Sequence, residues 1–453
     1  MLSPLNILKP LVPFLTAKRW LIAYSGGVDS RVLLELLVAL KQQRATAGET
    51  TPELLLVHVN HQIDTESAAW AEHCRRQGEI LGVSVSVHCV DINAAVTGNL
   101  EERARQARYG VFESLLQADD VLMLGHHRDD QIETLLMRLL RGSGSRGIGA
   151  MPQTRWLGAG QLHRPLLSIS RSDIEGYAVK AGLDWIEDPS NQKSDYDRNF
   201  LRLQILPSIE QRWPEYRTTL SRAATLSEES AALNAELAVV DCHALGLLPD
   251  SQSLSIHALQ QLSLGRQKNI IRYWLEQRQL ALPSAAQLHI VLEEVMTASE
   301  DAKPLVQWSD GQSSAVQVRR FKDDLYAMEA LAAFDSTQVV KWSLKDHLTI
   351  AGIGEFCANM TSGTGIKKSL VDSVGGVTVQ FRQGGERCQP TGRSHSQSLK
   401  KLFQEYQVEP WKRDRTPLIY VNDILIAVVG YWICEGYVAE HEPGINITQM
   451  SGN

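Results

Sequence analysis

The chain has 453 residues, which is too long for one ordinary hydrophobic core and predicts roughly two to four domains. Its formal net charge is −7, so its overall field does not attract a polyanion, and a nucleic-acid partner has to bind at a local basic patch. The six cysteines form no C-x-x-C pair, which argues against a zinc ribbon, an iron–sulfur cluster and a persulfide relay.

The sequence also predicts a cytoplasmic protein with no membrane partner. Lys9, Pro10 and Pro13 interrupt the N-terminal segment, where a secretion signal needs an unbroken apolar stretch. The longest apolar run, residues 425–434, is about half the length that spans a bilayer, and we expect it to form a buried strand.

Short β-branched runs alternate with helical patterns from residue 20 to about residue 140. The runs that predict strands are residues 20–24, 54–60, 84–90 and 121–125. This alternation predicts an α/β fold with a doubly wound parallel sheet, in which ligands bind at the carboxyl ends of the strands. Polar motifs follow several of these strands, so we expect residues that are distant in sequence to meet in one crevice.

The first strand runs directly into the sequence Ser-Gly-Gly-Val-Asp-Ser and then into a helical pattern. The two glycines lack Cβ atoms, so the chain can turn tightly and direct amide groups and the positive end of the helix at an anion. We predict that this turn binds a nucleotide together with the asparagine that closes the second strand. The residues are Ser25, Gly26, Gly27, Val28, Asp29, Ser30 and Asn60. The alternative is a glycine-rich turn that binds nothing.

The same turn lacks the lysine of a Walker loop, because Asp29 stands just before the terminal serine. Transfer of the γ-phosphoryl group is therefore disfavoured, and cleavage between the α- and β-phosphates of ATP fits better. In these residues the turn resembles the PP-loop of the N-type ATP pyrophosphatases. That resemblance implies that ATP adenylates an oxygen and that pyrophosphate is released.

Two arginines follow the third strand in a helical pattern. Arg105 and Arg108 are three residues apart, so both guanidinium groups can project from one helical face toward phosphates or a carboxylate. We assign Arg105 to catalysis and Arg108 to the substrate. The alternative is a charged helix that only faces solvent.

Histidines and acids crowd the end of the fourth strand, where residues 125–134 read Gly-His-His-Arg-Asp-Asp-Gln-Ile-Glu-Thr. Asp129 and Asp130 begin a helix, and the alternative is that they only cap its free amide groups. Their mutual repulsion is costly unless a cation neutralises it, so we predict a magnesium site formed by Asp29 with Asp129 or Asp130. Glu133 is assigned to the substrate, with a solvent-facing role as the alternative, and His126 is the candidate acid–base residue.

A fourth polar group lies between residues 185 and 202. Its acids, amides and arginines suit recognition of an amino acid, whose two ends carry opposite charges. We expect Glu187, Asn191 and Arg198 to bind the substrate. The alternative is charge pairing within a loop.

The character of the sequence changes after residue 213. Helical patterns at residues 214–241, 257–279 and 284–299 are followed by strand patterns at 315–321 and 325–328 and by a linker at about 330–340. The remainder is rich in glycine and β-forming residues. We therefore predict a catalytic domain at residues 1–213, a mainly helical domain at 214–335 and a β-rich domain at 336–453.

These motifs occur in the order seen in bacterial tRNA(Ile)-lysidine synthetases, and nearly the whole chain resembles that family. The likeness covers the turn at residues 25–30 and the histidine- and acid-rich stretch at 125–134. It also covers residues 57–61, 104–109, 141–144, 164–167, 187–191, 198–199, 381–386, 400–405 and 410–418. Gln62 and Ile148 depart from residues that are common in the family, and neither belongs to the predicted site.

The resemblance implies a ligation in two steps with ATP and Mg²⁺. ATP adenylates O2 of the wobble cytidine in the isoleucine tRNA with a CAU anticodon, and the ε-amine of L-lysine then displaces AMP to give lysidine. The target base has to leave its stack to react. Because methionine tRNAs share this anticodon, other parts of the tRNA have to be recognised as well.

A basic run supplies a candidate surface for the tRNA. Between residues 382 and 415, eight Lys or Arg stand against four acids, with Phe403, Tyr406 and Trp411 available to stack on bases. The residues that we assign to tRNA binding are Arg382, Lys400, Lys401, Arg413 and Arg415. The alternative is an ordinary mixed surface.

Other functions stay open at this stage. A PP-loop ligase acting on a small molecule, such as a GMP or NAD synthetase, or a tRNA thiolation enzyme is disfavoured by the missing glutaminase half and cysteine pairs. A nucleotide-dependent RNA-binding protein without turnover is disfavoured by the paired aspartates, which would repel RNA. The oligomeric state, a homodimer included, does not follow from the sequence.

Overall fold

The computed structural model describes residues 2–62, 66–91, 100–187, 197–299, 302–309, 311 and 314–450. The chain divides into two units, Met1–Leu237 and Ala238–Asn453. Among the described residues, no helix is both long enough and apolar enough to cross a bilayer.

Strands and helices alternate in the first unit, as the sequence predicts. The strands are β1 (Arg19–Ala23), β2 (Glu53–Asn60), β3 (Ser84–Cys89), β4 (Asp120–Met123), β5 (Thr154–Leu157) and β6 (Gly160–His163). The helices are α1 (Pro4–Leu11), α2 (Val28–Thr46), α3 (Ser67–Leu81), α4 (Leu100–Leu115), α5 (Arg128–Leu140), α6 (Ser145–Ile148), α7 (Arg171–Lys180), α8 (Asp197–Phe200), α9 (Leu206–Arg212) and α10 (Tyr216–Leu245), with a 3₁₀ turn at Val12–Phe14 and a π turn at Leu201–Ile205.

The strands of this unit form one sheet in the order β3-β2-β1-β4-β6-β5. Strands β1, β2, β3, β4 and β6 run parallel, and β5 pairs with β6 antiparallel. The predicted α/β fold is therefore confirmed, and the short β5–β6 hairpin is an addition. Successive strands are added on opposite sides of the β1–β4 pair, so the carboxyl ends of these two strands form the topological switch point where ligands bind in such sheets.

The helical region predicted after residue 213 also contains a sheet. Its helices after α10 are α11 (Ile256–Gln260), α12 (Leu264–Gln277) and α13 (Ala285–Ile290), the last continued by a π turn at Val291–Val295. Strands β7 (Ser253–Ser255), β8 (Leu305–Trp308), β9 (Val316–Phe321) and β10 (Asp324–Glu329) form a sheet in the order β7-β10-β9-β8. The sequence predicted β9 and β10 and missed β7 and β8, which have three and four residues and are too short to show a period.

The C-terminal part is β-rich, as predicted. Its strands are β11 (Val340–Trp342), β12 (Leu348–Ile350), β13 (Gly354–Ser362), β14 (Ile366–Lys367), β15 (Val377–Gln380), β16 (Arg387–Cys388), β17 (Gln397–Ser398), β18 (Leu418–Val421), β19 (Ile424–Val428), β20 (Trp432–Ile433) and β21 (Pro443–Gln449), and its helices are α14 (Lys368–Val374), α15 (Leu399–Glu405) and α16 (Pro410–Arg413). The apolar run 425–434 is not the single strand that we predicted. It reverses direction between β19 and β20, which pair antiparallel with Val428 opposite Trp432.

A buried ion pair joins β1 to β4 at the end opposite the switch point. Asp120 is almost wholly buried, and its carboxylate accepts hydrogen bonds from Nε of Arg19 (3.0 Å), from a second Arg19 nitrogen and from the Gln117 amide (2.9 Å). Burial raises the pKa of Asp120, but the Arg19 and Gln117 hydrogen bonds outweigh it and hold the pKa below its ordinary value.

We predict that Asp120→Asn lowers the free energy of unfolding by about 2 to 3 kcal/mol at pH 7, because Arg19 loses its counter-charge. The folded-state pKa lies below the unfolded value of about 4, so this stabilisation is present above pH 4 and is lost as the pH falls through the folded pKa. Urea unfolding of both proteins should therefore show a difference that shrinks from pH 4 toward pH 2. A difference that stays constant over that range would contradict the assignment.

Candidate functional site

The turn between β1 and α2 leaves the first amide groups of α2 open. Gly27 caps this 19-residue helix without a side-chain hydrogen bond. The Ser30 hydroxyl folds back into the turn, donating to the Gly27 carbonyl oxygen (3.0 Å) and accepting from the Ser25 amide (3.2 Å). Gly26 has a φ of +86°, and its carbonyl oxygen accepts from the Ile186 amide (2.9 Å). The turn is thus held from two sides while the helix N-terminus stays available to an anion.

The chain that leaves β4 packs directly against the first turn of α2. A Cβ at Gly125 would lie 3.1 Å from the Asp29 carbonyl carbon and 3.2 Å from the Ser30 nitrogen, so any other residue would push this backbone away by a few tenths of an ångström. Strands β1 and β4 are neighbours, with Ile22 opposite Met123. Their carboxyl ends therefore bring the starts of α2 and α5 together at the switch point.

His127 connects these two helix starts. Its ring is buried and caps α5, accepting from the Asp130 amide at Nδ1 (3.4 Å), while Oδ2 of Asp130 accepts from the His127 amide (3.0 Å). Its Nε2 lies 3.6 Å from Oδ1 of Asp29 and 3.5 Å from Oδ2 of Asp130. Asp29 and Asp130 thus meet at Nε2 of one ring, whereas Oδ2 of Asp129 lies 3.9 Å from its Nδ1. Sequence reasoning did not assign His127, whose signal is the His-x-x-Asp spacing of a capping box.

Asp129, the third predicted ligand, is engaged elsewhere. Its Oδ1 accepts from Nε of Arg217 (2.7 Å) and its Oδ2 from the Arg171 amide at the start of α7 (2.9 Å). Burial raises its pKa, but these two hydrogen bonds outweigh burial and lower it. Adjacent residues at a helix start point in different directions, and here Asp129 fastens α5 to α7 and α10.

Glu133 is the most buried acid of this group, with 1% of its side chain exposed. Its carboxylate accepts from Nε of Arg198 (2.7 Å) and from Nε and Nη2 of Arg202 (2.7 and 3.0 Å). Arg198 also donates to Oδ1 of Asp130 (2.8 Å). The alternative that Glu133 faces solvent is therefore wrong. Sequence reasoning included Arg202 in the fourth polar group but gave it no role, although it stands four residues after Arg198 in a helical segment.

The two converging aspartates differ in their titration. Burial raises the pKa of Asp29, against the lowering effect of His127. Burial also acts to raise the pKa of Asp130, but His127 and Arg198 outweigh it and lower the pKa to about 2. Oδ1 of Asp29 is buried and accepts no hydrogen bond from a described residue.

An orphaned carboxylate oxygen beside a second carboxylate fits a divalent cation. Magnesium in nucleotide sites typically takes one or two carboxylates and completes its shell with water and phosphate oxygens. The described residues contain no group of three or more His, Cys, Asp or Glu that could hold a metal by themselves. The donor set therefore suits an ion that arrives with a phosphate ligand.

His126 does not have the acidity that we expected of an acid–base residue. Its Nδ1 accepts from Nε of Arg164 (3.3 Å). Burial lowers its pKa, and although Asp130 acts in the opposite direction, the neighbouring arginines hold it at about 3. The ring is neutral at physiological pH and is too weak a base to accept a proton readily.

Arg105 and Arg108 belong to a positively charged region around Tyr109. The guanidinium of Arg105 lies 4.9 Å from the centroid of the Tyr109 ring, and that of Arg155 lies 5.4 Å from it. Burial raises the pKa of Tyr109, but Arg105, Arg164, Arg155 and Arg108 together outweigh it and lower the pKa. The structure therefore places the two predicted arginines in a larger cationic region, suited to phosphate groups.

Asn60, Glu187 and Asn191 are also predicted to bind ligands. Asn60 is buried, and its side chain donates to the Ser67 carbonyl (3.1 Å) and accepts from the Gln62 amide (2.8 Å). It therefore shapes the turn after β2, and one N–H of its side-chain amide is already engaged there. Glu187 is exposed, and Asn191 lies outside the described residues.

The structure divides the predicted tRNA-binding residues into two groups. Lys400 and Lys401 are exposed on α15. The three arginines make contacts within the protein: Arg415 donates to two backbone carbonyl oxygens, Arg413 donates to one (2.8 Å), and Arg382 pairs with a neighbouring aspartate (3.0 Å). The lysines are therefore better placed than the arginines to meet a partner.

The aromatic residues of the basic run are mostly structural. Phe403 is fully buried, so our expectation that it stacks on bases is wrong. The Trp411 ring packs against Tyr326 with centroids 5.1 Å apart, and Arg319 lies 5.5 Å from its centroid, so it joins α16 to the β7–β10 sheet. Tyr406 is 42% exposed and remains accessible.

Family profiles and known relatives match several parts of the chain. Family profiles described as "PP-loop domain", "TilS substrate binding domain" and "TilS substrate C-terminal domain" match residues 4–209, 254–326 and 377–448. The chain is 38% identical to a tRNA(Ile)-lysidine synthase of Coxiella burnetii, over 97% of this chain and 95% of that protein. It is 41% identical to the protein of the same name from Serratia proteamaculans, over 92% of this chain and 91% of the relative.

We predict that Gly125→Ala weakens binding of a non-hydrolysable ATP analogue at least about tenfold, or ~1.4 kcal/mol, in calorimetry. The added Cβ would press on the Asp29 backbone and shift the first turn of α2. Gly176→Ala in α7 is the matched control, because a Cβ there would meet no described atom within 4 Å. Equal affinities in two folded variants would contradict the importance of the close approach.

Proposed function

The chain belongs to the tRNA(Ile)-lysidine synthase family, and from this premise we propose how its crevice performs the reaction. It is an ATP-using ligase that forms lysidine on tRNA(Ile). In the proposed sequence, O2 of the wobble cytidine of the CAU-anticodon tRNA attacks the α-phosphate of ATP and pyrophosphate leaves. The ε-amine of L-lysine then displaces AMP from C2.

One observation carries this proposal. The open N-terminus of α2 lies beside Asp29, and His127 links Asp29 to Asp130, which in turn shares Arg198 with Glu133. A phosphate site, a cation site and a mixed-charge site thus adjoin one another at one switch point. Such an arrangement suits a reaction in which an activated oxygen is first adenylated and then displaced by an amine.

The β- and γ-phosphates are proposed to bind at residues 25–30. The amide groups and positive end of α2 would stabilise pyrophosphate as its charge develops. The Ser25 and Ser30 hydroxyls lie within hydrogen-bond distance of each other (3.2 Å), which holds the turn in shape. Arg105 and Arg108 supply positive charge for the phosphate of the adenylate.

Asp29 and Asp130 are the proposed magnesium ligands. Bound there, the ion would neutralise phosphate charge and polarise the P–O bond that breaks. Nε2 of His127 lies within 3.6 Å of both carboxylates, and the low pKa of Asp130 keeps that residue anionic across the physiological range. We leave Asp129 out of the set because it does not share the Nε2 side of the His127 ring with Asp29, as Asp130 does, and because Arg217 and the Arg171 amide hold its carboxylate toward α10 and α7.

L-Lysine is proposed to bind at the mixed charges next to these acids. Glu133 offers a carboxylate for an ammonium group and Arg198 a guanidinium for the carboxylate, with Glu187 and Asn191 in the adjoining loop. The attacking amine has to lose its proton. Desolvation beside Arg105, Arg108 and their neighbours lowers the pKa of a bound ammonium, so the proton can leave to water without help from His126.

Recognition of the tRNA is proposed to involve all three domains: the catalytic domain at residues 1–213, a tRNA-contacting domain at 214–335 and a docking domain at 336–453. The three family profiles support this division.

The proposed chemistry uses residues of one chain, so it requires no homodimer. We expect the enzyme to act in the cytoplasm, where its tRNA is available. The relatives give no support to a small-molecule ligase, a thiolation enzyme or a protein without turnover.

The order of steps predicts where label from ATP goes. With α-labelled ATP, magnesium and CAU isoleucine tRNA but no lysine, label should accumulate on the tRNA, because adenylation does not need the amine. Adding lysine should release the label as AMP. Release of ADP, or label on lysine before tRNA is added, would overturn the sequence of steps.

Substitution of the proposed ligands should separate the two neighbouring aspartates. We predict that Asp29→Asn and Asp130→Asn each lower kcat at least about a thousandfold at saturating magnesium, with tRNA affinity nearly unchanged. Asp129→Asn keeps a hydrogen-bonding side chain at a residue outside the proposed ion site, so it should lower kcat by less than about tenfold. Circular dichroism of all three variants checks the fold. Equal losses at Asp129 and Asp130 would show that the assignment of ligands is wrong.

The exposed lysines of α15 should contribute to tRNA affinity through phosphate contacts. Each contact adds roughly 0.7 to 0.9 to the log–log slope of binding against salt, so replacing Lys400 and Lys401 by Ala should flatten the slope by about 1.4 to 1.8. The double substitution of Lys341 and Lys345, exposed lysines of the same domain, is the matched control. If both pairs change the slope equally, α15 has no special role in docking.

A further inference from the structure

The carboxylate of Glu133 is paired with two guanidinium groups. It accepts three hydrogen bonds, two from Arg202 (2.7 and 3.0 Å) and one from Arg198 (2.7 Å). The Glu133 side chain is 1% exposed, whereas those of Arg202 and Arg198 are 25% and 28% exposed. The cations therefore lie on the open side of the acid. An ammonium group that approaches Glu133 from solvent has to take the place of one of them.

The two arginines are not equivalent. Arg198 donates through Nε to Glu133 and through Nη2 to Asp130 (2.8 Å), so it bridges both acids with short hydrogen bonds. Arg202 forms its short bonds with Glu133, and its nearest approach to Asp130 is 3.4 Å. If Arg202 leaves, Asp130 keeps its principal cation and only Glu133 is left to be paired. Arg202 is thus the arginine that can be exchanged at lower cost.

Arg202 also stands in a segment with little apolar anchoring. It belongs to the π turn Leu201–Ile205, which follows the four-residue helix α8. None of the α8 residues is buried, and of the π turn only Leu201 is buried. Single π turns inside helices often occur at functional sites. A segment in which few side chains are buried can rearrange at a modest free-energy cost.

We propose that Arg202 occupies, in the free enzyme, the place on Glu133 that the ammonium group of the amino-acid substrate takes. This inference rests on the proposed function, in which L-lysine binds beside Glu133. Exchange of a guanidinium for an ammonium leaves the buried carboxylate paired before and after binding, which avoids the large cost of an unpaired buried charge. Arg202 is a positioning residue that acts through Glu133 and competes with the substrate.

The exchange also provides selectivity. An amino acid with a neutral side chain of similar length, such as norleucine, offers no cation for Glu133 and cannot displace Arg202. Its binding would require a free space that the arginine already fills. Because Arg202 competes with lysine for Glu133, it lowers the affinity for lysine somewhat. It lowers the affinity for neutral analogues more strongly, since they cannot displace it.

The test compares Arg202→Gln and Arg202→Lys with the wild-type enzyme in lysidine formation on full-length tRNA. Internal competition reduces apparent affinity by the fraction of enzyme in which the site is free, so its removal in Arg202→Gln should lower the KM for lysine at least about threefold. The KM for ATP and the rate of tRNA adenylation without lysine should stay within about twofold. Arg202→Lys keeps a competing cation and should lower the KM for lysine by a smaller factor.

A matched control removes an arginine from an exposed ion pair. Arg75→Gln breaks the contact with Glu72 on α3 (3.0 Å) and should leave the KM for lysine unchanged. Inhibition by norleucine, undetectable in the wild type, should appear in Arg202→Gln. Melting temperatures of all variants are measured alongside.

The outcomes separate the inference from the proposed function. A raised or unchanged KM for lysine in Arg202→Gln overturns the inference. A lower melting temperature and a lower kcat, without a lower KM for lysine, also overturn it, because they indicate a structural role. If Arg202→Gln fails to fold, the Arg202→Lys variant decides, and an unchanged KM for lysine there also overturns it. Absence of lysidine with the wild-type enzyme refutes the proposed function itself.

Discussion

The site depends on the close approach between the chain that leaves β4 and the first turn of α2. Gly125 makes this approach sterically possible, and it brings two helix N-termini to one end of the sheet. His127 then lies within 3.6 Å of Asp29 and Asp130, on opposite sides of the junction. The proposed anion site, formed by amides, and the proposed cation site, formed by carboxylates, thus have a single geometric cause.

The gathering of acids at this junction has to be balanced by positive charge. Arginines from the segment after the sheet provide it: Arg217 pairs with Asp129, while Arg198 and Arg202 pair with Asp130 and Glu133. Oδ1 of Asp29 is left without a hydrogen bond from the described residues, next to the open end of α2. The junction thus combines arginine-paired acids with one carboxylate oxygen that is left for a cation.

The sequence predicted the sheet and the ends of its strands because the alternation of β-branched runs with helical periods is a local property. It also predicted that Asp29 and Asp130 lie close together, since motifs at neighbouring parallel strands have to converge. It could not separate Asp129 from Asp130, because the direction of a side chain at a helix start depends on what packs there. The pairing of Arg202 with Glu133, 69 residues away in sequence, is a tertiary contact that no local period indicates. The acid–base assignment of His126 is disfavoured for a similar reason, since burial and Arg164 lower its pKa.

The central claim is that one crevice joins ATP-dependent activation of a tRNA base to attack by an amine. Mass spectrometry of nucleosides from CAU isoleucine tRNA, after incubation with the protein, ATP, magnesium and L-lysine, tests it most directly. The account predicts a new nucleoside with the mass of cytidine plus lysine less one water, formed only when ATP and lysine are both present. Unmodified cytidine from a reaction in which ATP is consumed would contradict it.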